Sequence, residues 1–457
     1  MQSLQPFNRH CVNARYELNV TESPVPAPLI DTLQSLWHLA PPGPDNLFSY
    51  RTFIELCDIC ERFYPPTHSK DALGIALHTA LRALGLPCTL PTEKQTLGLS
   101  VADAAKRLDQ AFRQTKASRV HLCPLDCADD LPSLEFGPAV VRKFSTTELE
   151  DLIDVQRLQR RYPSWKFDGN SFASFTWLVV REAVPIDGEA GKRAVPFFYT
   201  NINQDFGAIE PHRRQFPAAV EAALFALLLA PWEDWVDDIE IDWRAFRIPW
   251  VYTTDDDLFV AHSVPPRSDT LSWKPCIYTD AYGEQIEDEC PEYFPLSNRA
   301  KDAPSWITHE RWTTLERARE ALLFGSPIAH FLNRAFLSNG IDEFLAHITV
   351  IEAGLGTNVD HDIGQRSKIK GKNPGATERV ALRLSSLLRD GAAGEDYRRL
   401  FKSRSDFIHG RTLNTIPSTD RALVRKLARR VAVELVMKAA SEPALPRESF
   451  LEHLLNA

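Results

Sequence analysis

No stretch of this 457-residue sequence is apolar for long enough to cross a bilayer. The longest candidate, Ala218 to Ala230, is interrupted by Glu221 and falls short of the ~20 residues a spanning helix needs. It reads instead as a buried helix. Met1 to Val20 lack the apolar core that a signal peptide requires. These absences predict a cytoplasmic protein with no membrane partner. Internal repeats are also missing, as is any long span with the composition of a disordered segment. Cysteine is absent after Cys290.

The eight cysteines that do occur are scattered, and reduced core thiols are the expected reading. Cys57 and Cys60 form a CxxC, and Cys123 and Cys127 a Cx3C, together enough thiolates for zinc. The gap between the halves matches no common finger, and Phe53, Leu56, Cys57 and Cys60 share one helical face as core residues do.

Charge is unevenly placed. The chain carries 52 basic and 61 acidic residues, yet Ile363 to Lys438 hold 18 Lys/Arg against 7 Asp/Glu. Two readings follow with equal weight. The basic region meets a polyanion, or it meets the acidic remainder of the same molecule.

Length calls for two domains or three, and the pattern is multidomain α+β. Residues 1–300 mix signals in a mixed α/β region. Helices are expected over Ser69–Leu86, Val101–Gln114 and Phe216–Leu229, and strands over Ala139–Phe144, Phe175–Val180, Val195–Tyr199 and Arg247–Thr253. Ser145 to Glu148 reads as a capping box that starts another helix. Pro265 to Ser305 is irregular and proline-rich, which places a linker near residue 300. Residues 301–457 turn almost purely helical, an all-α bundle. Helices are expected over Thr308–Phe324, Ile328–Leu337, Ile341–Ala353, Thr377–Leu388, Glu395–His409 and about Asp420–Ala440, the last with Ser418 and Thr419 as caps.

The chemistry-bearing segment runs from Tyr397 to Gly410. On a helix, Tyr397, Leu400, Phe401, Arg404 and Ile408 share one stripe, so the Arg404 guanidinium lies in line with apolar residues and must find an anion or a partner surface. His409 is the only one of the 13 histidines with an arginine five residues before it. Gly410 marks the helix end, which turns His409 back towards Arg404 or towards a second copy across a dimer interface. Arginine with histidine suits RNA cleavage without metal. Histidine takes the proton of the 2′-OH or returns one to the leaving 5′-oxygen, and arginine holds the phosphate as charge develops.

The run Leu400-Phe401-Lys402-Ser403-Arg404-Ser405-Asp406-Phe407-Ile408-His409-Gly410 resembles the signature of Apea-like HEPN domains. In these an arginine-serine pair and a following histidine-glycine precede the last long helix. The helix Phe344–Ala353 is also similar to the family, whose members often carry a glutamate facing the motif, here Glu352. The resemblance covers roughly Ile341 to Ala440. It implies a HEPN-type helical bundle, a homodimer and metal-independent endoribonuclease activity, in antiviral or toxin roles. By that match Arg404 and His409 are the catalytic pair, and Ser405 is the polar residue beside the arginine. Many HEPN ribonucleases carry Asn, Asp or His at this place.

Lys368, Lys370 and Lys372 form a basic loop that contacts phosphates or is simply solvated, and Lys402 and Arg411 are further RNA-binding candidates. No cofactor is expected, and no metal at the site. Asp360-His361-Asp362 is a weaker metal candidate that a polar loop explains as well. The acidic run Glu233 to Asp242 reads as a solvated face with apolar residues packed inward. The alternative to catalysis is a non-catalytic bundle that binds RNA or a protein, with Arg404 paired to Glu352 and His409 closing a helix. Residues 1–300 are expected to sense a trigger or restrain the nuclease.

Overall fold

The computed structural model describes residues 24–39, 46–67, 69–195, 214–279, 282–324, 327–364, 366–367, 369, 371–410 and 415–456. It divides into two compact units, one of residues 1–114, 187–199 and 258–261, the other of residues 115–186, 200–257 and 262–457. Residue 300 lies inside the second unit. No described helix is long and apolar enough to cross a membrane.

The first unit is helical. Helices Ala27–Trp37, Arg51–Phe63, Lys70–Leu84 and Val101–Arg113 close around Leu33, Phe53, Leu56, Leu77, Leu81 and Leu108. Ser69 and Ser100 start two of them by accepting hydrogen bonds from the Ala72 and Asp103 amides, as serine caps do. Cys60 is buried in this core and Cys57 half-buried, which agrees with the core-thiol reading.

The second unit is built on an antiparallel sheet. Its strands are β1 (Lys116–Leu125), β2 (Leu134–Phe136), β3 (Ala139–Lys143), β4 (Thr176–Pro185) and β5 (Tyr252–Asp255), in the order β2-β3-β4-β1-β5. The first half of β4, Thr176 to Val180, is buried on both faces, which explains its unbroken Trp177-Leu178-Val179-Val180 run. Trp177 and Val179 pack with Phe144, Leu149 and Phe172 on one side. Leu178 and Val180 join Cys123 and the helix Ala218–Leu228 on the other. That helix is apolar all round because it packs both on β4 and on the helix Ile328–Leu337. Its one acid, Glu221, sits in the first turn and accepts the amides of Gln215 (2.9 Å) and Phe216 (3.2 Å), as an N-terminal carboxylate should.

Sequence expectations hold for most elements, with corrections at the edges. The capping box at Ser145 and Glu148 is formed. The strand expected over Arg247–Thr253 starts only at Tyr252; before it, Arg247 makes an isolated bridge to Asp126. Most of the strand expected over Val195–Tyr199 lies outside the described residues. Pro265 to Ser305 is not simply irregular. It holds a hairpin of β6 (Trp273–Thr279) and β7 (Gln285–Pro291).

After residue 300 the chain is helical: Ala303–Trp306, His309–Arg319, Ile328–Leu337, Gly340–Leu355, Ala376–Leu388, Gly391–Ile408, Ser418–Ser441 and Arg447–Asn456. Pro417, not Ser418 or Thr419, is the N-cap of Ser418–Ser441, and it makes no side-chain cap. Proline serves there because a helix's first amides have no intrahelical partner to lose. Val424, Leu427, Val431 and Leu435 on this helix face the core. At Gly354 an added Cβ would stand 3.0 Å from both Leu435 and Val431, so glycine permits the close approach of Gly340–Leu355.

This core also contains a polar cluster. Glu343 and His347, one turn apart on Gly340–Leu355, are fully buried. Glu343 accepts from the Trp243 indole N–H and from Arg421 at 2.9 Å. The Trp243 ring centre lies 5.4 Å from that of the His347 ring and 4.6 Å from the Arg425 guanidinium. Burial and then Arg425, Arg244 and Arg421 push the His347 imidazole well below its ordinary 6.5. The folded chain therefore keeps His347 neutral where the unfolded chain binds a proton. Its contribution is complete above about pH 6.5 and is lost as pH falls below that, by up to about 1.4 kcal/mol per pH unit. Burial raises the Glu343 carboxyl, which acts in the opposite sense above its ordinary 4.5. We expect urea midpoints to fall between about pH 7.5 and about pH 5.5, and to fall less in His347→Gln. An equal fall in both proteins would discharge His347 from this role.

Candidate functional site

The helix Gly391–Ile408 starts on Asp390, whose carboxylate accepts the Ala392 amide, and ends at Gly410, which adopts φ +72°. That left-handed conformation suits glycine and stops the helix where the sequence places its end. Along the helix the apolar stripe emerges from the core. Tyr397 and Leu400 are buried and Phe401 half-buried, whereas Arg404 is 30% exposed at its side chain and Ile408 50% exposed.

Arg404 has two neighbours along this stripe. Its Nη2 lies 3.7 Å from Glu352 Oε2 on the facing helix, and its guanidinium sits 5.2 Å from the centre of the Phe401 ring. Burial raises the Glu352 carboxyl, opposed by Arg404 and then His361. The Tyr397 hydroxyl is buried beside this pair, and burial and Glu352 raise it further. A carboxylate at 3.7 Å fixes the arginine's direction but does not engage it in the short bidentate geometry that would neutralise it.

His409 closes the helix. Its amide donates to Ser405 O at 3.0 Å, so Ser405 contributes its carbonyl to the turn that sets the histidine. The imidazole is exposed, as are Phe407 and Ile408 beside it. The structure thus brings Arg404, Glu352, Phe401 and Tyr397 together at one place, with Ser405 and His409 further along the same helix. Lys402 and Lys372 are exposed. Lys368, Lys370 and Arg411 lie outside the described residues.

Much of the basic excess of this region has internal partners. Arg429 donates to Glu233 at 2.6 Å, and Lys426 to Asp234 at 2.9 Å. Arg398 pairs with Glu378, Arg399 with Asp420, Arg430 with Asp390, and Arg421 with Glu343. The acidic run is accordingly not a uniformly solvated face: Glu233 and Asp242 are buried, the latter accepting from Arg244 and Arg247. Asp360, in the weaker metal candidate, is likewise paired with Arg383. Among the described residues there is no group of three His, Cys, Asp or Glu able to hold a metal ion.

Two features escaped the sequence reading. His361 lies close enough to Glu352 to act on its charge. The polar cluster of Glu343 and His347 is signalled in sequence by an acid and a histidine four residues apart on an otherwise apolar helix. Comparison with family models, with curated proteins and with solved structures returned no match.

The ion pair at Arg404 is long and part-exposed, so removing it has little effect on folding. Arg404→Ala should change unfolding free energy by no more than about 1 kcal/mol. Chemical denaturation measures this, and a loss several times larger would make Arg404 a structural residue.

Proposed function

We propose that the chain is a metal-independent endoribonuclease of HEPN type, with Arg404 and His409 from each of two subunits lining one cleft. The supporting observation is placement. A guanidinium oriented by Glu352 and an exposed imidazole occupy the solvent-facing end of one helix, instead of separate closed interiors. The exposed Phe407 and Ile408 beside them give a second copy an apolar surface to meet.

In this site one His409 takes the proton of the attacking 2′-OH and the other protonates the leaving 5′-oxygen. The two arginines hold the phosphate and offset its developing charge. Lys402 and Lys372 contribute further phosphate contacts. Residues 1–300 supply the trigger response, and the product is a cyclic phosphate. A role in antiviral defence or toxin-like growth arrest fits a nuclease that must be restrained.

A second reading is favoured by the Glu352 contact itself: Arg404 already has an anionic partner, as in a bundle that binds RNA or protein without cutting. Cleavage assays with chelator present separate the two. We expect RNA with cyclic phosphate ends from the unmodified protein. Arg404→Ala and His409→Ala should each reduce the rate at least about a hundredfold. Unchanged cleavage in both variants would exclude this site, and RNA binding without cleavage under any condition would favour the second reading.

A further inference from the structure

The β6–β7 hairpin carries two of the chain's cysteines on one face. Lys274 pairs with Cys290 and Cys276 with Asp288, so Cys276 and Cys290 are diagonal neighbours on the same side of the ribbon. Both are free thiols and neither is buried. Among the described residues no third strand joins this hairpin. Its side chains Ile277 and Tyr278 are exposed.

We propose that Cys276 and Cys290 are a dithiol site that a peroxide oxidises to a reversible cross-strand disulfide. Three observations on the hairpin carry this. The first is proximity: the Cys276 and Cys290 thiols stand close enough to act on each other. Diagonal Cα atoms in a flat ladder stand about 7–8 Å apart, at the edge of disulfide reach. The thiols nevertheless already meet, and two-stranded ribbons twist strongly enough to shorten one diagonal. The second is access: both thiols stand on a ribbon whose side chains are largely exposed, where a peroxide reaches either one. The third is contrast with the other thiols. Cys60 and Cys123 are deeply buried, and burial pushes the half-buried Cys57 up to about 11.

The reaction balances without a metal. The thiolate of one cysteine attacks one peroxide oxygen and breaks the O–O bond. This gives a sulfenic acid and hydroxide, which takes up a proton to become water. The sulfur of the other cysteine then displaces the sulfenic hydroxyl, which leaves as water with that thiol's proton. Two thiols lose two electrons and two protons in all, and one hydrogen peroxide becomes two waters. A thiol such as glutathione reverses the step by exchange. The site does not depend on the Arg404 reading.

Mass spectrometry of the reduced full chain after brief peroxide treatment and alkylation tests it. Lys274 is followed by Pro275, so trypsin leaves both cysteines in one peptide, Ser268–Arg299. We expect that peptide to lose both alkylation sites together, to be lighter by two hydrogens, and to recover on reduction. Its conversion should run roughly tenfold faster than oxidation of Cys57. In Cys290→Ser and in Cys276→Ser this loss of two hydrogens should disappear, the remaining cysteine stopping at a sulfenic acid. Recovery of both cysteines alkylated while Cys57 reacts would overturn the proposal. So would linkage of either to another cysteine or another chain, or conversion of each to a sulfinic acid.

Discussion

The end of the helix Gly340–Leu355 is the constraint on which the candidate site depends. The last carbonyls of a helix have no partner within it and, when buried, must be met from elsewhere. Two arginines meet them here. Arg447 donates to Ala353 O, Gly354 O and Gly356 O at 2.6, 3.1 and 2.9 Å. Arg383 donates to Leu355 O at 2.9 Å and to Leu451 O at 3.1 Å, while Asp360 neutralises it. Helices Ala376–Leu388 and Arg447–Asn456 and the loop after Leu355 are thereby tied to one point. Glu352 sits immediately before that point, so its direction towards Arg404 follows from the capping and not from the weak ion pair alone.

The same logic runs through the rest of the second unit. Arginines interrupt apolar stripes, and each solves a backbone or charge problem across elements. Arg244 donates to Phe336 O and Ser338 O as well as to Asp242. Arg425, fully buried, donates to Leu228 O at 2.7 Å and lies 4.0 Å from Glu233. Such buried pairs gain little net stability, because desolvating both charges offsets most of their attraction. Their consequence is geometric: a guanidinium committed to two carbonyls and a carboxylate admits few alternative packings. Three cations of the basic region, Arg425, Lys426 and Arg429, face Glu233 and Asp234 of the acidic run, and Arg398, Arg399, Arg421 and Arg430 pair with other carboxylates. The exposed cations left at the Gly391–Ile408 helix are local to Lys402.

This explains what the sequence could and could not disclose. Helices after residue 300 were legible because their apolar period and end glycines agree; Ile328–Leu337 was read to the residue. Strands β3 and β4 were legible from β-branched and aromatic runs. The central strand β1 was not. Its polar half carries Arg119 and His121, whose ring hydrogen-bonds Thr253 and Glu182 on the neighbouring strands at 2.8 and 3.0 Å, and Pro124 falls in its apolar half. A strand satisfied by cross-strand polar contacts has no hydrophobic alternation to display. β6 and β7 were hidden for a related reason. Two prolines and a nearly all-exposed face leave a ribbon without a core signal. At the candidate site, the helical stripe called for an anion at Arg404 and the family resemblance pointed to Glu352, whereas the influence of His361 depends on a loop that local pattern does not fix.

The position of the proposed pair has a physical logic of its own. A buried arginine such as Arg383 is committed to its partners through all three nitrogens and has no face open to a phosphate. A fully solvated one has no fixed direction, and holding a long side chain still costs up to about 2 kcal/mol of rotamer freedom. Arg404 stands between these limits because the stripe it belongs to leaves the core by one turn at a time. Phe401 and Glu352 restrict its rotamers, and its exposed portion keeps donors available. The His409 amide makes the last i→i−4 bond of the helix, and its exposed ring stands at the helix end. The helix end therefore supplies one oriented cation and one accessible proton carrier, and a single chain presents one of each. A general acid and a general base acting in the same step are two groups, and where both are this imidazole they come from two copies of the motif. Of the arrangements available, only one that joins two such helix ends provides them from this motif, which is why the proposed chemistry requires the dimer and does not merely tolerate it.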